Sequence, residues 1–272
     1  SVTRKRDQSI RVQFVIIVIY ICRDEGGMMT RKIIDWITGE KGGCGKSFCC
    51  RTVAQYYDDH HEPYILFDTD RANPDLRRIY EEHGCKLAVL SESEKYEDSP
   101  NAIFNAALSN RVLVNLPAQS FVPLRTWLES RDVLEMAYEE GITFRSIFVT
   151  DGGSDSLKLL RQSLEYFNDR VEHILVRNFG RGGEDWSHLD EDEQLQTLLK
   201  QCKTKIIDLP RYPSNRHRNI VDFESMTFDQ ARKNQQYGAF FRQSAKKFLR
   251  DAYASFDKAG ILDQDMGDDA AA

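Results

Sequence analysis

The chain has 272 residues, with 37 Lys and Arg against 43 Asp and Glu, a formal charge of −6, and 41% hydrophobic and 29% charged residues. That length suits one large α/β domain better than two full-sized ones, and the composition excludes disordered and fibrous material. A net charge of −6 argues against a protein coated in basic surface for non-specific nucleic-acid binding, while leaving room for a local patch.

In chain order, residues 1–28 come first. Ile10–Cys22 (IRVQFVIIVIYIC) is nearly continuous apolar sequence behind Arg4, Lys5, Arg6 and Arg11. It is shorter than the about 20 apolar residues that span a bilayer, and Arg23, Asp24 and Glu25 follow where a signal peptide would have small residues. The expectation is a leader outside the fold, with the native product starting at Met28 or Met29; the alternative is an edge strand or a membrane-surface anchor. The six cysteines, Cys22, Cys44, Cys49, Cys50, Cys85 and Cys202, show neither CxxC spacing nor pairing with histidine. They read as reduced thiols of a cytoplasmic protein.

Apolar runs of strand length then recur at Lys32–Ile37, Tyr64–Phe67, Arg111–Val114, Arg145–Val149, His173–Val176 and Lys205–Leu209, with longer amphipathic stretches between them. Short buried strands alternating with helices predict an α/β fold, a mostly parallel sheet with helices on both faces, over residues 29–258. In such folds ligands collect at the carboxyl ends of the strands. Ser91–Ser99 (SESEKYEDS) reads as an exposed excursion and Glu184–Glu193 (EDWSHLDEDE) as acidic surface.

The sharpest motif is Gly39–Ser47, GEKGGCGKS, placed directly between the first strand and the helical pattern SFCCRTVAQYY. A phosphate-binding loop needs that context. Glycines let successive N–H groups turn towards phosphate oxygens, and the helix start adds its positive end. Gly42, Gly43, Cys44, Gly45, Lys46, Ser47 and Phe48 are the expected nucleotide contacts. Lys46 would reach the β- and γ-phosphates and Ser47 would ligate Mg²⁺. Glu40 stands where the usual first glycine of GxxxxGK[ST] would be, whereas the spacing KGGxGK[ST] is met in full.

KGGCGKS resembles the deviant Walker A motif of the ParA/MinD/nitrogenase-iron-protein group of P-loop NTPases, and the likeness runs at motif level from Lys32 to Phe228. The resemblance implies a three-layer α/β/α P-loop NTPase that binds ATP and Mg²⁺. It also implies an ATP-dependent homodimer in which Lys41 crosses to the partner's nucleotide. A second cation there would stabilise charge developing in phosphoryl transfer. In YILFDTDRANPDL the resemblance gives Asp68 to the Mg²⁺ shell and Asp70 to the attacking water. The plain alternative is that Asp70 caps the helix near Pro74–Tyr80, although Asp75 already suits that task. RVLVNLPAQ departs from the group's DxPxG, because Asn115 replaces Asp and Gln119 replaces Gly. Asn115 can accept a hydrogen bond from a metal-bound water but supplies no charge, so binding is a firmer expectation than turnover. Asn178, after HILVRN, resembles the base-recognition asparagine, and Pro210 the loop that closes over the base. For Asp151-Gly152-Gly153-Ser154, a plain turn is the leading reading, and polar groups facing a nucleotide or partner are the alternative.

Charge is uneven along the chain: residues 211–258 carry +5 and residues 259–272 carry −4. Across Gln235–Asp257, Phe241, Ala245, Phe248, Ala252 and Phe256 recur at helical spacing, which reads as core. Arg242, Lys246, Lys247 and Arg250 lie between them and are the candidates for contacting DNA or a DNA-bound adaptor. The acidic tail, residues 259–272, lacks an apolar face and argues against membrane binding at this terminus. MTFDQAR, with DTDRANPD and KGGCGKS, resembles plasmid-borne ATPases for mobilization, conjugal transfer, partition or stability. The leading expectation is therefore a cytoplasmic, dimerising ATPase switch. The alternatives are a small-molecule ligase or kinase of the same P-loop class, and a nucleotide-binding module that has lost turnover.

Overall fold

The computed structural model describes residues 32–71 and 73–262. The expected leader and most of the acidic tail lie outside the described residues. The strands are β1 (Lys32–Thr38), β2 (Tyr64–Asp68), β3 (Lys86–Leu87), β4 (Arg111–Asn115), β5 (Ile142–Thr150), β6 (Glu172–Asn178) and β7 (Lys205–Leu209). They form one sheet in the order β3-β2-β4-β1-β5-β6-β7, and every pair is parallel. All six expected strands are present. The fourth begins at Ile142 rather than Arg145, and the edge strand β3 was not foreseen.

The helices are α1 (Lys46–Asp59), α2 (Asp75–Tyr80), α3 (Asn101–Ala107), α4 (Phe121–Ser130), α5 (Val133–Glu139), α6 (Ser154–Phe167), α7 (Phe179–Gly182), α8 (Ser187–Asp190), α9 (Glu193–Gln201), α10 (Asn215–Phe223), α11 (Phe228–Lys233) and α12 (Gly238–Ala259). Strand side chains alternate between two cores, which makes the three-layer α/β/α architecture. Ile37, Leu113, Val149, Val176 and Leu209 join α1 and the stripe Phe241, Ala245, Phe248, Ala252 and Phe256 of α12 on one side. Ile34, Trp36, Val112, Val114 and Phe144 meet α3, α4 and α5 on the other. Phe148 and Leu175 meet α6 and α9 on that same opposite face. The α12 stripe is core, as its spacing predicts, and each of its buried phenylalanines contributes about 1.5–3 kcal/mol.

One strand position breaks the apolar pattern. Asp35 of β1 is fully buried, directly opposite Arg145 of β5 in the register. It accepts from Arg145 Nε at 2.5 Å, Arg111 Nη1 at 3.2 Å and Tyr57 Oη at 2.7 Å. Arg145 also donates to the Ile261 carbonyl at 3.0 Å, which ties the end of the described chain to the sheet. Burial raises the Asp35 carboxyl, and the two guanidinium groups outweigh that and hold it below its usual range.

Local chemistry explains two further segments. MTFDQAR holds a capping box: Thr227 Oγ1 accepts from Gln230 N–H at 3.1 Å and Gln230 Oε1 from Thr227 N–H at 2.9 Å. Ser91–Ser99 is the expected exposed excursion, built on a 3₁₀ turn over Glu94–Tyr96. Glu184–Glu193 is not wholly surface, because Trp186 and Leu189 are buried within it against α6 and α9.

Candidate functional site

β1 is the central strand, and the chain leaves its carboxyl end into GEKGGCGKS and then α1. Gly45 opens the helix with φ +103°, a left-handed conformation that only glycine takes easily. A Cβ added there would also stand 2.2 Å from Asn178 Nδ2. Gly42 and Gly43 are exposed on the cleft side. A cleft of about 390 Å³ opens over this loop, lined by Gly42, Gly43, Gly45, Lys46, Ser47, Phe48, Asp70, Asn178 and Pro210 among the expected residues. The structure thus gathers residues from the first, second, sixth and seventh strand ends into one cavity.

Several expected residues sit there differently from their assigned parts. Lys46 is buried, and its ammonium donates to the Gly39 carbonyl at 2.8 Å and the Lys41 carbonyl at 3.2 Å. Lys41 does not line the cleft. Its ammonium meets Asp151 Oδ2 at 2.8 Å, with 41% of its side chain exposed. That hydrogen bond raises the lysine's pKa. Asp151 itself is lowered, burial pushing it up and the Lys41 and Gly153 donors outweighing it. The turn reading of Asp151–Ser154 was therefore incomplete: the chain bends at Gly152 into α6, and Asp151 grips the loop lysine. Cys44 is buried beneath the loop, its thiol raised by burial. The five described cysteines are all free.

Asp68 and Asn115 lie behind the loop as a pair. Asn115 Nδ2 donates to Asp68 Oδ1 at 3.0 Å and lies 3.5 Å from Ser47 Oγ. Asp68 also accepts from the backbone N–H groups of Asp70 at 3.2 Å and Arg77 at 3.0 Å. Arg77 lies in the first turn of α2, so Asp68 satisfies a backbone donor of that helix start. Burial still leaves the Asp68 carboxyl raised. Asp70 faces the cleft and accepts from Asn73 N–H at 3.0 Å. Asn178 was expected to read a base, yet much of its amide is engaged locally. Nδ2 donates to the Cys44 carbonyl at 2.7 Å and Oδ1 accepts from Gly180 N–H at 3.1 Å, capping α7. Phe48 turns most of its ring into the core, against Phe228 and Phe248.

The residues fit a phosphate with a hard cation. Asn115 Oδ1 is buried with no hydrogen-bond partner among the described residues, beside the Ser47 hydroxyl and the Asp68 carboxylate. Such an all-oxygen set suits Mg²⁺, which keeps waters and takes few protein ligands. No group of three or more His, Cys, Asp or Glu among the described residues could hold a metal by itself. A cation here would rest on ligand phosphates and water.

The far wall was invisible to sequence reasoning. Arg51, Tyr212, Arg218 and Asp222 line the same cleft. Arg51 donates to Asp222 Oδ1 at 2.6 Å and to the Met226 carbonyl at 2.8 Å. Tyr212 Oη is buried without a partner among the described residues. The basic residues of α12 belong to a different surface. Lys247 and Arg250 both pair with Asp251, Arg242 donates to the Asn234 carbonyl, and Lys246 is exposed beside them.

The chain is 25% identical to Protein TraL of Escherichia coli over 236 residues, 82% of this chain and 96% of that one. It is 24% identical to Protein MobD of Acidithiobacillus ferrooxidans over 180 residues, 66% of this chain and 78% of that one. These likenesses join the glycine loop at the end of a central parallel strand. The chain is similar to both along most of its length. Among solved structures, it is similar to the septum site-determining protein MinD complexed with Mg-ADP from Pyrococcus horikoshii, at 15% identity and a TM-score of 0.48, covering 84% of this chain and 97% of that one. No family model matches. No described helix is long and apolar enough to cross a membrane.

Proposed function

We propose that the protein is an ATP-binding dimerisation switch with ATPase activity, acting in plasmid mobilization, conjugal transfer, partition or stability. One observation carries the reading: of the two loop lysines, Lys46 lines the cleft while Lys41 lies outside it, held by Asp151 at 2.8 Å. A second loop lysine kept out of its own cleft is suited to serve the nucleotide of another copy. Lys46 and the N–H groups of Gly42–Ser47 bind the phosphates, and Phe48, Asn178 and Pro210 bound the nucleoside end. Ser47, with Asp68 and Asn115, would hold Mg²⁺. Bound Mg²⁺ neutralises phosphate charge. Asp70, on the cleft wall, orients the attacking water, and Lys41 completes the partner's site. Binding the nucleotide favours the paired state because only that state makes the Lys41 contact. The likeness to proteins named TraL and MobD supports the plasmid setting. The exposed face of α12 carrying Lys246, Lys247 and Arg250 is the place for DNA or a DNA-bound adaptor.

A second reading, nucleotide binding without turnover, is favoured by Asn115. Its amide satisfies Asp68 with no added cation. Light scattering after size exclusion, with and without ATP–Mg²⁺, tests the switch on wild type, Lys41→Ala and Asp70→Ala. Wild type becomes dimeric with ATP, Lys41→Ala weakens the dimer and Asp70→Ala prolongs it. An ATP-insensitive monomer in all three rejects the switch. Dimerisation without phosphate release selects the second reading.

A further inference from the structure

Glu40 is an unexpected neighbour for a phosphate site. It sits within the phosphate-binding loop between Gly39 and Lys41, with only 9% of its surface exposed. A carboxylate there repels a bound anion and loses hydration, so its retention calls for strong local partners. It has them in three consecutive residues. Glu40 Oε1 accepts from Ser120 Oγ at 3.1 Å, Oε2 accepts from Phe121 N–H at 3.1 Å, and its carbonyl accepts from Gln119 N–H at 3.2 Å. Phe121 is the first residue of α4, where backbone N–H groups lack helical partners. Ser120, at the capping position, makes no side-chain cap of its own. Glu40 caps α4 from across the fold, 81 residues away in sequence.

The same contacts pin the segment that borders the cleft. At its start Asn115 is bonded to Asp68, and at its end Gln119 is bonded to Glu40. Between them Ala118 lines the cleft beside Gly42, Gly43 and Lys46. A short segment fixed at both ends transmits a push at Ala118 rather than absorbing it. Burial raises the Glu40 carboxyl, and the Phe121 N–H, the Ser120 hydroxyl and then the Lys46 charge oppose that rise. An ammonium drawn from the Gly39 and Lys41 carbonyls to a phosphate would change the field at Glu40.

We propose that Glu40 is a positioning residue that locks residues 116–121 and α4 to the phosphate-binding loop and carries nucleotide occupancy to that helix. The inference rests on the cleft being a nucleotide site. Amide hydrogen exchange on wild type, Glu40→Gln and Ser120→Ala tests it, with and without ATP–Mg²⁺, beside a titration with a fluorescent ATP analogue. Without nucleotide, Glu40→Gln speeds exchange in the first turn of α4 by roughly tenfold, the loss of one charge-assisted bond, and leaves β5 and α12 unchanged. Ser120→Ala, which keeps the carboxylate, gives a smaller increase at the same amides and serves if Glu40→Gln does not fold. With ATP–Mg²⁺, wild type gains protection across residues 118–125, whereas Glu40→Gln binds the analogue and gains none there. A merely structural cap would leave the ATP-induced protection equal in the two proteins, and that result overturns the relay. Unaltered α4 exchange in both variants overturns the lock. Failure of wild type to bind the analogue refutes the nucleotide reading and the relay with it, while faster α4 exchange in Glu40→Gln would still establish the lock.

Discussion

At the scale of single residues, Gln119 shows how a sequence departure acquires meaning. It stands where the resembled motif has glycine, and its φ is +57°, in the left-handed region. A residue with a side chain pays about 1 kcal/mol or more for that conformation. Gln119→Gly is therefore expected to raise stability by about 1 kcal/mol, offset in part by the added freedom of the unfolded glycine. Urea unfolding at pH 7 checks it, and a destabilised Gln119→Gly would mean that the glutamine side chain contributes more than the backbone costs. Asn115, the motif's other departure, was equally legible as a substitution. That its amide turns towards Asp68 was not, because an asparagine's orientation is set by neighbours that sequence order does not reveal.

At the scale of elements, the end of α1 is fastened to α11 and α12 through Asp59. Its carboxylate accepts from Arg232 at 2.5 and 2.7 Å, Tyr253 at 2.9 Å and Gln55 at 3.0 Å. Burial raises the carboxyl, and these donors outweigh it and leave it below its usual value. Asp59→Asn should cost about 1–3 kcal/mol near neutral pH. A lowered folded pKa gives stability that is fully present above the unfolded value of about 3.9 and lost as pH falls through the folded value. The gap between wild type and Asp59→Asn, followed by urea unfolding, should hold from pH 7 to about 5 and close in stronger acid; a gap that widens there contradicts this sign. Six strands were legible because each is a contiguous apolar run. β3 was not, since its two residues, Lys86 and Leu87, are exposed and carry no pattern. The phosphate loop was likewise legible as a contiguous string. Its far wall was not, because Arg51 meets Asp222 across 171 residues and no local spacing encodes that meeting. Trp186 and Leu189 were hidden by the acidic residues around them.

At the scale of the molecule, the strand that ends in the phosphate loop also carries the buried charge cluster. Asp35 pairs with Arg111 and Arg145, Glu62 supplying the second negative charge, and through them it holds β4, β5, α1 and the Ile261 carbonyl. Asp35→Ala strips Arg145 of its carboxylate and leaves Arg111 with Glu62 alone, and should destabilise the fold by about 3–5 kcal/mol. Chemical denaturation measures this, and a loss below about 1 kcal/mol would show that water reaches the cluster. Cys44 is buried under the loop, and Cys49 and Cys50 are buried in α1, all three with thiols raised by burial. Thiolate is the form that alkylates, and burial disfavours it at these positions. The loop thus contains its own clock: the rate at which Cys44 takes up an alkylating reagent counts how often the phosphate-binding loop opens, with no label added to the chain.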